Sequence, residues 1–126
     1  MQRRVSARIA AGLLVVHGVI EVSALFLADS MSQSMISFGG IDPSRIASSA
    51  VPIALLGIMW GCTRFVAAWG LWSGRKWAAG LGIAISLVTL IAAITIIPAG
   101  VVDTLLATMA LILLLYTWFG DERLEL

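Results

Sequence analysis

Charge is scarce in this sequence: 12 % of the residues are charged, the net charge is +1, and there is one cysteine and one histidine. Each shortage removes a class of function. Apart from Arg64, the few arginines lie outside the apolar runs rather than along one face, so they supply no phosphate-binding surface and no nucleic-acid partner is expected. Cys62 stands alone, which rules out an intrachain disulfide and says nothing of the redox compartment; within an apolar run it is expected as a small packing residue. His17 also stands alone, so a bis-histidine haem within one chain is impossible, and no set of cysteine, histidine and carboxylate has zinc or iron spacing. Ser23 and Ser86 lack an evident base and oxyanion site, and the glycines of GLWSGRKWAAGLG stand at a helix junction among tryptophans rather than in a phosphate loop. No catalytic residues, no metal and no obligatory cofactor are expected, and an enzymatic role is the less favoured one.

What is abundant is apolar surface, with 60 % hydrophobic residues and a mean hydropathy of +1.04. A hydrocarbon core about 30 Å thick needs roughly 20 helical residues. Four segments qualify: Ile9 to Ala28, Val51 to Trp72, Trp77 to Ile97 and Val101 to Phe119. Open strands would leave backbone amides unpaired in lipid, and four spans are too few for a closed barrel. The expected fold is therefore all-α, a single membrane domain built as an antiparallel four-helix bundle. Arg3, Arg4 and Arg8 precede the first span, Arg75 and Lys76 join the second to the third, and Arg123 follows the fourth, while only Arg45 lies on the opposite side. By the positive-inside rule both termini face the cytoplasm, which places the chain as a multi-pass protein of the inner (plasma) membrane. A cleaved signal peptide ending near Val22-Ser23-Ala24 is the other reading of the basic start, but Glu21 would fall in its apolar region and the run is long, so a retained first helix is preferred.

The connections differ in length. Ser73 to Lys76 joins spans two and three, and a turn around Pro98-Ala99-Gly100 joins three and four, so these neighbours are expected side by side. Spans one and two are joined instead by Asp29 to Ala50. There Asp29 or Ser30 is expected to cap a short helix ended by Gly39-Gly40, and Asp42-Pro43 to start another that leads into span two. This outer loop reads as an interfacial segment, or else as a lid over a cavity. Gly57 and Gly61 form a GxxxG that lets a helix approach closely, whether from the same chain or from a second copy. Trp69, Trp72, Trp77 and Trp118 cluster at the inner ends of the spans as an anchoring belt. A short echo aligns RIAAGLLVVHGVIEV from Arg8 with KWAAGLGIAISLVTL from Lys76, setting Glu21 opposite Thr89.

Polar residues inside the spans carry the functional question. His17 and Glu21 are four apart and share a helix face. By helical rise His17 lies roughly 12 Å deep, Glu21 roughly 18 Å, and Arg64 of span two roughly 12 Å. An unpaired charge in hydrocarbon costs at least about 2.5 kcal/mol, and a guanidinium reaches a carboxylate one turn away with two parallel hydrogen bonds. A buried Glu21–Arg64 pair is therefore expected, with His17 beside it and Thr63 or Thr89 in reach. Asp103 is expected to cap the start of span four rather than to act in catalysis. Such a pair can simply fix helix register, or it can bind a headgroup, a quinone carbonyl or a proton.

RIAAGLLVVHGVIE, a long outer loop with FGG and a proline, and then RFVAAWGLWSGRKWAA resemble the pattern of the DoxX-like group of small four-helix membrane proteins. That pattern has a lysine where this chain has Glu21 and an acidic residue where it has Arg64, which looks like a charge swap that preserves a pair. The resemblance implies four antiparallel helices and, in some members, an accessory role beside quinone-linked sulfur oxidation. Three roles follow for this chain. It is an accessory or small-molecule-binding protein for a lipid or quinone, a proton-coupled small transporter working through Glu21, or a structural subunit docked in a homodimer or a larger membrane complex.

Overall fold

Helices that are apolar on nearly every side need lipid around them, because a chain this small has too little interior to cover them. The computed structural model describes residues 2–26, 43–95 and 100–120, of which 24–26, 43–54 and 95 by their backbone alone, and among these residues it is all-α. The helices are α1 (Arg3–Phe26), α2 (Pro43–Trp72), α3 (Lys76–Thr95) and α4 (Val101–Phe119). Each is long and apolar enough to cross a membrane, over Arg3–Ser23, Leu55–Trp72, Lys76–Ile94 and Val101–Phe119. By that measure the protein is a multi-pass membrane protein.

α1 and α2 extend beyond the apolar runs that announce them. α1 starts at Arg3, and α2 takes in 43–50, part of the expected loop, with Pro43 at its first position. Hydropathy marks where lipid begins, whereas proline with its fixed φ marks where a helix can begin. The expected short helix after Asp29, the loop's role as lid or interfacial segment and the Pro98-Ala99 turn lie outside the described residues.

α1 packs against α2 and α4, and α3 against α2 and α4, so the four helices close a ring. Its interior is built of small residues, Ala7, Ala10, Ala11, Ala67, Ala68, Ala78, Ala79 and Ala110, with Leu14, Leu71, Ile85 and Leu114 among them. Large side chains such as Leu56, Met59, Ile91, Ile94 and Ile112 point outward. This inside-out distribution suits a bilayer, where lipid tails solvate leucine as well as a protein core does and close backbone approach supplies the packing energy.

The α1–α2 seam is close-packed. A Cβ on Gly61 would lie 2.8 Å from Val22 Cγ2 and 3.0 Å from the Gly18 carbonyl oxygen, and one on Gly57 would lie 3.4 Å from the Glu21 carbonyl oxygen. The GxxxG of α2 is thus filled by α1 of the same chain and is not left for a second copy. At the α3–α4 seam, Gly82 receives Leu114, whose Cδ1 would be 2.9 Å from an added Cβ. α2 ends in a Schellman arrangement: Gly74, at φ 73°, donates its N–H to the Leu71 carbonyl, and the Arg75 N–H reaches Gly70 O at 2.8 Å. Without a Cβ, Gly74 takes this left-handed turn at no steric cost, and α3 starts two residues later.

At this end of the bundle the Ser6 and Thr117 hydroxyls meet at 3.1 Å, and Arg3 Nη2 donates to the Trp118 carbonyl at 3.3 Å. The expected belt tryptophans are exposed, and Arg8 and Arg75 lie over the rings of Trp72 and Trp69 at 5.6 and 5.3 Å. Cys62 is exposed, not packed, because it follows Gly61 on α2 and therefore turns away from the α1 seam.

Candidate functional site

Four helices each bring one or two polar side chains to a common level of the ring. α1 supplies His17 and Glu21, four residues apart on its inward face. α2 supplies Trp60 and Arg64 at the same spacing, and α3 supplies Ser86 and Thr89, three apart. α4 supplies Asp103 from its first turn. Gly18 and Gly61 set the distance between the first two helices, so that Glu21 and Arg64 can meet side-on.

They do meet. Arg64 Nε donates to Glu21 Oε2 at 2.8 Å and Nη2 to Oε1 at 2.9 Å, a two-point charge-assisted contact. Nη2 also donates to the Thr89 hydroxyl, which accepts a second bond from Trp60 Nε1 at 3.3 Å. Arg64 is entirely buried, whereas the Glu21 side chain keeps 17 % exposure. Of the five guanidinium N–H groups three are used. Among the described residues both on Nη1 lack an acceptor, and so does the buried Ser86 Oγ.

His17 is beside the pair, as its spacing predicts, but bonds elsewhere. Its Nε2 is 3.1 Å from Asp103 Oδ1 and 3.8 Å from Glu21 Oε1, the second too long for a hydrogen bond. This corrects the expectation for Asp103. The N-cap of α4 is Gly100 and receives no side-chain cap bond. Asp103, the third residue inside the helix, bonds His17 of α1 and makes no cap, while its charge still lies in the electropositive first turn. Thr63 is corrected as well: its hydroxyl donates to the Met59 carbonyl of the preceding turn and does not reach the pair. Gly57 and Gly61 serve the site indirectly, through the α1 seam.

Two participants escaped the sequence reading. Trp60 was legible as the residue one turn from Arg64, and Ser86 as the one three before Thr89, yet neither spacing tells which way a tryptophan or serine turns.

Comparison with family models, with curated proteins and with solved structures finds no match. The reading of function rests on the site. Among the described residues no group of three or more histidine, cysteine or carboxylate side chains is placed to hold a metal ion. The arrangement offers a buried cation half used by the protein, an unpaired hydroxyl, and an imidazole between two carboxylates. These groups bind oxygen acceptors and protons, and they include no activated nucleophile.

Proposed function

We propose that this chain is a small binding protein of the inner (plasma) membrane, without catalytic machinery of its own, that holds a quinone- or lipid-like molecule by its oxygen end at Arg64. Arg64 itself carries the reading. A pair that only fixed helix register would use the Nε and Nη2 edge and turn the other edge toward backbone or solvent. Here, among the described residues, Nη1 and the Ser86 hydroxyl are both buried without an acceptor, a costly arrangement that a ligand carbonyl or acid oxygen relieves.

The bundle is antiparallel with both termini cytoplasmic in this proposal. In support, Arg8 of α1 meets Trp72 of α2, Gly18 meets Gly61 and Glu21 meets Gly57, a descending order along α2 as α1 ascends. The basic residues Arg3, Arg4, Arg8, Arg75 and Lys76 gather at one end. The chain is then a charge-swapped relative of the DoxX-like group, with Glu21 and Arg64 exchanging the polarity of that pattern. A proton-exchanging transporter of drugs is less well supported, because both Glu21 oxygens are committed to Arg64.

The test is extraction into lipid-preserving polymer discs followed by mass spectrometry of retained small molecules. The comparison is with the double variant Glu21→Leu with Arg64→Met, which removes the pair together. A carbonyl- or acid-bearing amphiphile should be retained by the parent and depleted at least about tenfold in the variant, equivalent to about 1.4 kcal/mol. Equal retention by both sinks the reading, and a stable larger complex with no retained molecule favours the structural-subunit role instead.

A further inference from the structure

The charges around His17 do not cancel. Glu21 gives both oxygens to Arg64, so one anion and one cation are matched. Among the described residues no cation is matched to Asp103 in this way, and its Oδ1 rests 3.1 Å from His17 Nε2. The same nitrogen faces Glu21 Oε1 at 3.8 Å. A nitrogen lying between two carboxylate oxygens carries a hydrogen, since a bare lone pair would there face negative charge on both sides. The His17 side chain is 2 % exposed and that of Asp103 37 %, so Asp103 is the member of the pair that reaches the surroundings.

We propose that the His17–Asp103 contact is a proton-binding site: His17 takes up one proton on Nδ1 and holds it as an imidazolium bonded through its Nε2–H to the Asp103 carboxylate. The neutral ring carries its one hydrogen on Nε2, donated to Asp103 Oδ1; the proton taken up goes to the bare Nδ1 while the Nε2–H bond to the carboxylate is kept, and loss of the Nδ1 proton reverses it. Among the described residues the charged and titratable groups facing His17 are Glu21 on its own helix, Asp103 on α4 and Arg64 on α2, while the buried polar residues of α3 are the hydroxyls Ser86 and Thr89. Of the two carboxylates, Asp103 is in hydrogen-bond reach of the ring at 3.1 Å and Glu21, at 3.8 Å, is not. Through Glu21, which touches both centres, the proton adds positive charge beside Arg64 and favours an anionic over a neutral acceptor there. The proton site goes beyond the binding reading and stands without it.

One histidine makes the test direct. Labelling histidine with nitrogen-15 gives a single imidazole spectrum for the full chain in lipid nanodiscs, followed from about pH 4 to about pH 9, a window that brackets histidine titration. In the parent the neutral ring should be the Nε2–H tautomer and should convert to imidazolium in one step. In Asp103→Asn, which keeps an oxygen acceptor but no charge, the proton should be lost at a pH lower by about one unit or more, while Asp103→Glu stays near the parent. A ring fixed in one form across the range overturns the proposal. So does an Nδ1–H neutral tautomer in the parent, which needs no variant to observe, or a step in Asp103→Asn that is unmoved or moved upward.

Discussion

Arg64 was foreseeable from depth alone. A guanidinium in mid-span must find an anion, and in this sequence Glu21 is the membrane carboxylate within one turn of the same level. The choice between Thr63 and Thr89 was not foreseeable, because a threonine beside an arginine on its own helix has a carbonyl of the preceding turn in easier reach. Nor was the turn of Asp103 to His17, which depends on α4 lying against α1, a matter of helix order round the ring that spacing within one helix does not contain. The energetics of the pair yield a prediction at this scale. Arg64→Met or Glu21→Leu alone strands a buried charge and should cost about 3–5 kcal/mol, whereas both together should recover most of that loss. Unfolding of the four proteins in one lipid mixture measures it; a double variant no more stable than the weaker single would mean that the two charges are not coupled.

For whole helices, hydropathy located the spans and special residues located their ends. α4 runs over Val101–Phe119, the limits of its apolar run. α1 and α2 outrun theirs because arginine and serine are tolerated in a helix that leaves the bilayer. The GxxxG of α2 announced a close neighbour without naming it, and the neighbour is α1. Gly61→Leu should therefore prise α1 from α2, lowering stability by about 1–3 kcal/mol and loosening the Glu21–Arg64 contact. Gly12, where an added Cβ meets nothing within 4 Å, is its control. Gly12→Ala should be neutral or stabilising by up to about 1 kcal/mol, from helix propensity. Unfolding measurements on the two variants check this contrast, and equal effects would show that glycine content, not the seam, sets stability. The echo between Arg8–Val22 and Lys76–Leu90 also acquires a geometry, since Glu21 and Thr89, its matched positions, both bond the one guanidinium between them.

For the molecule as a whole, the basic residues and tryptophans at one end predict that reporters fused to either terminus are active only in the cytoplasm; activity of either on the far side would reverse the proposed orientation. The ring also has unequal sides. α1 holds α2 through Glu21 and Arg64, α2 holds α3 through Arg64, Trp60 and Thr89, and α1 holds α4 through His17 with Asp103 and Ser6 with Thr117. α3 meets α4 through Gly82 on Leu114 and Gly80 on Trp118, contacts of a kind that an acyl chain can replace. Among these contacts of the described residues, parting the other sides breaks hydrogen bonds in a solvent that offers none in return, while parting this one trades hydrocarbon for hydrocarbon. The barrel of helices thus has a grain, and it splits most cheaply sideways between its last two staves, toward the lipid.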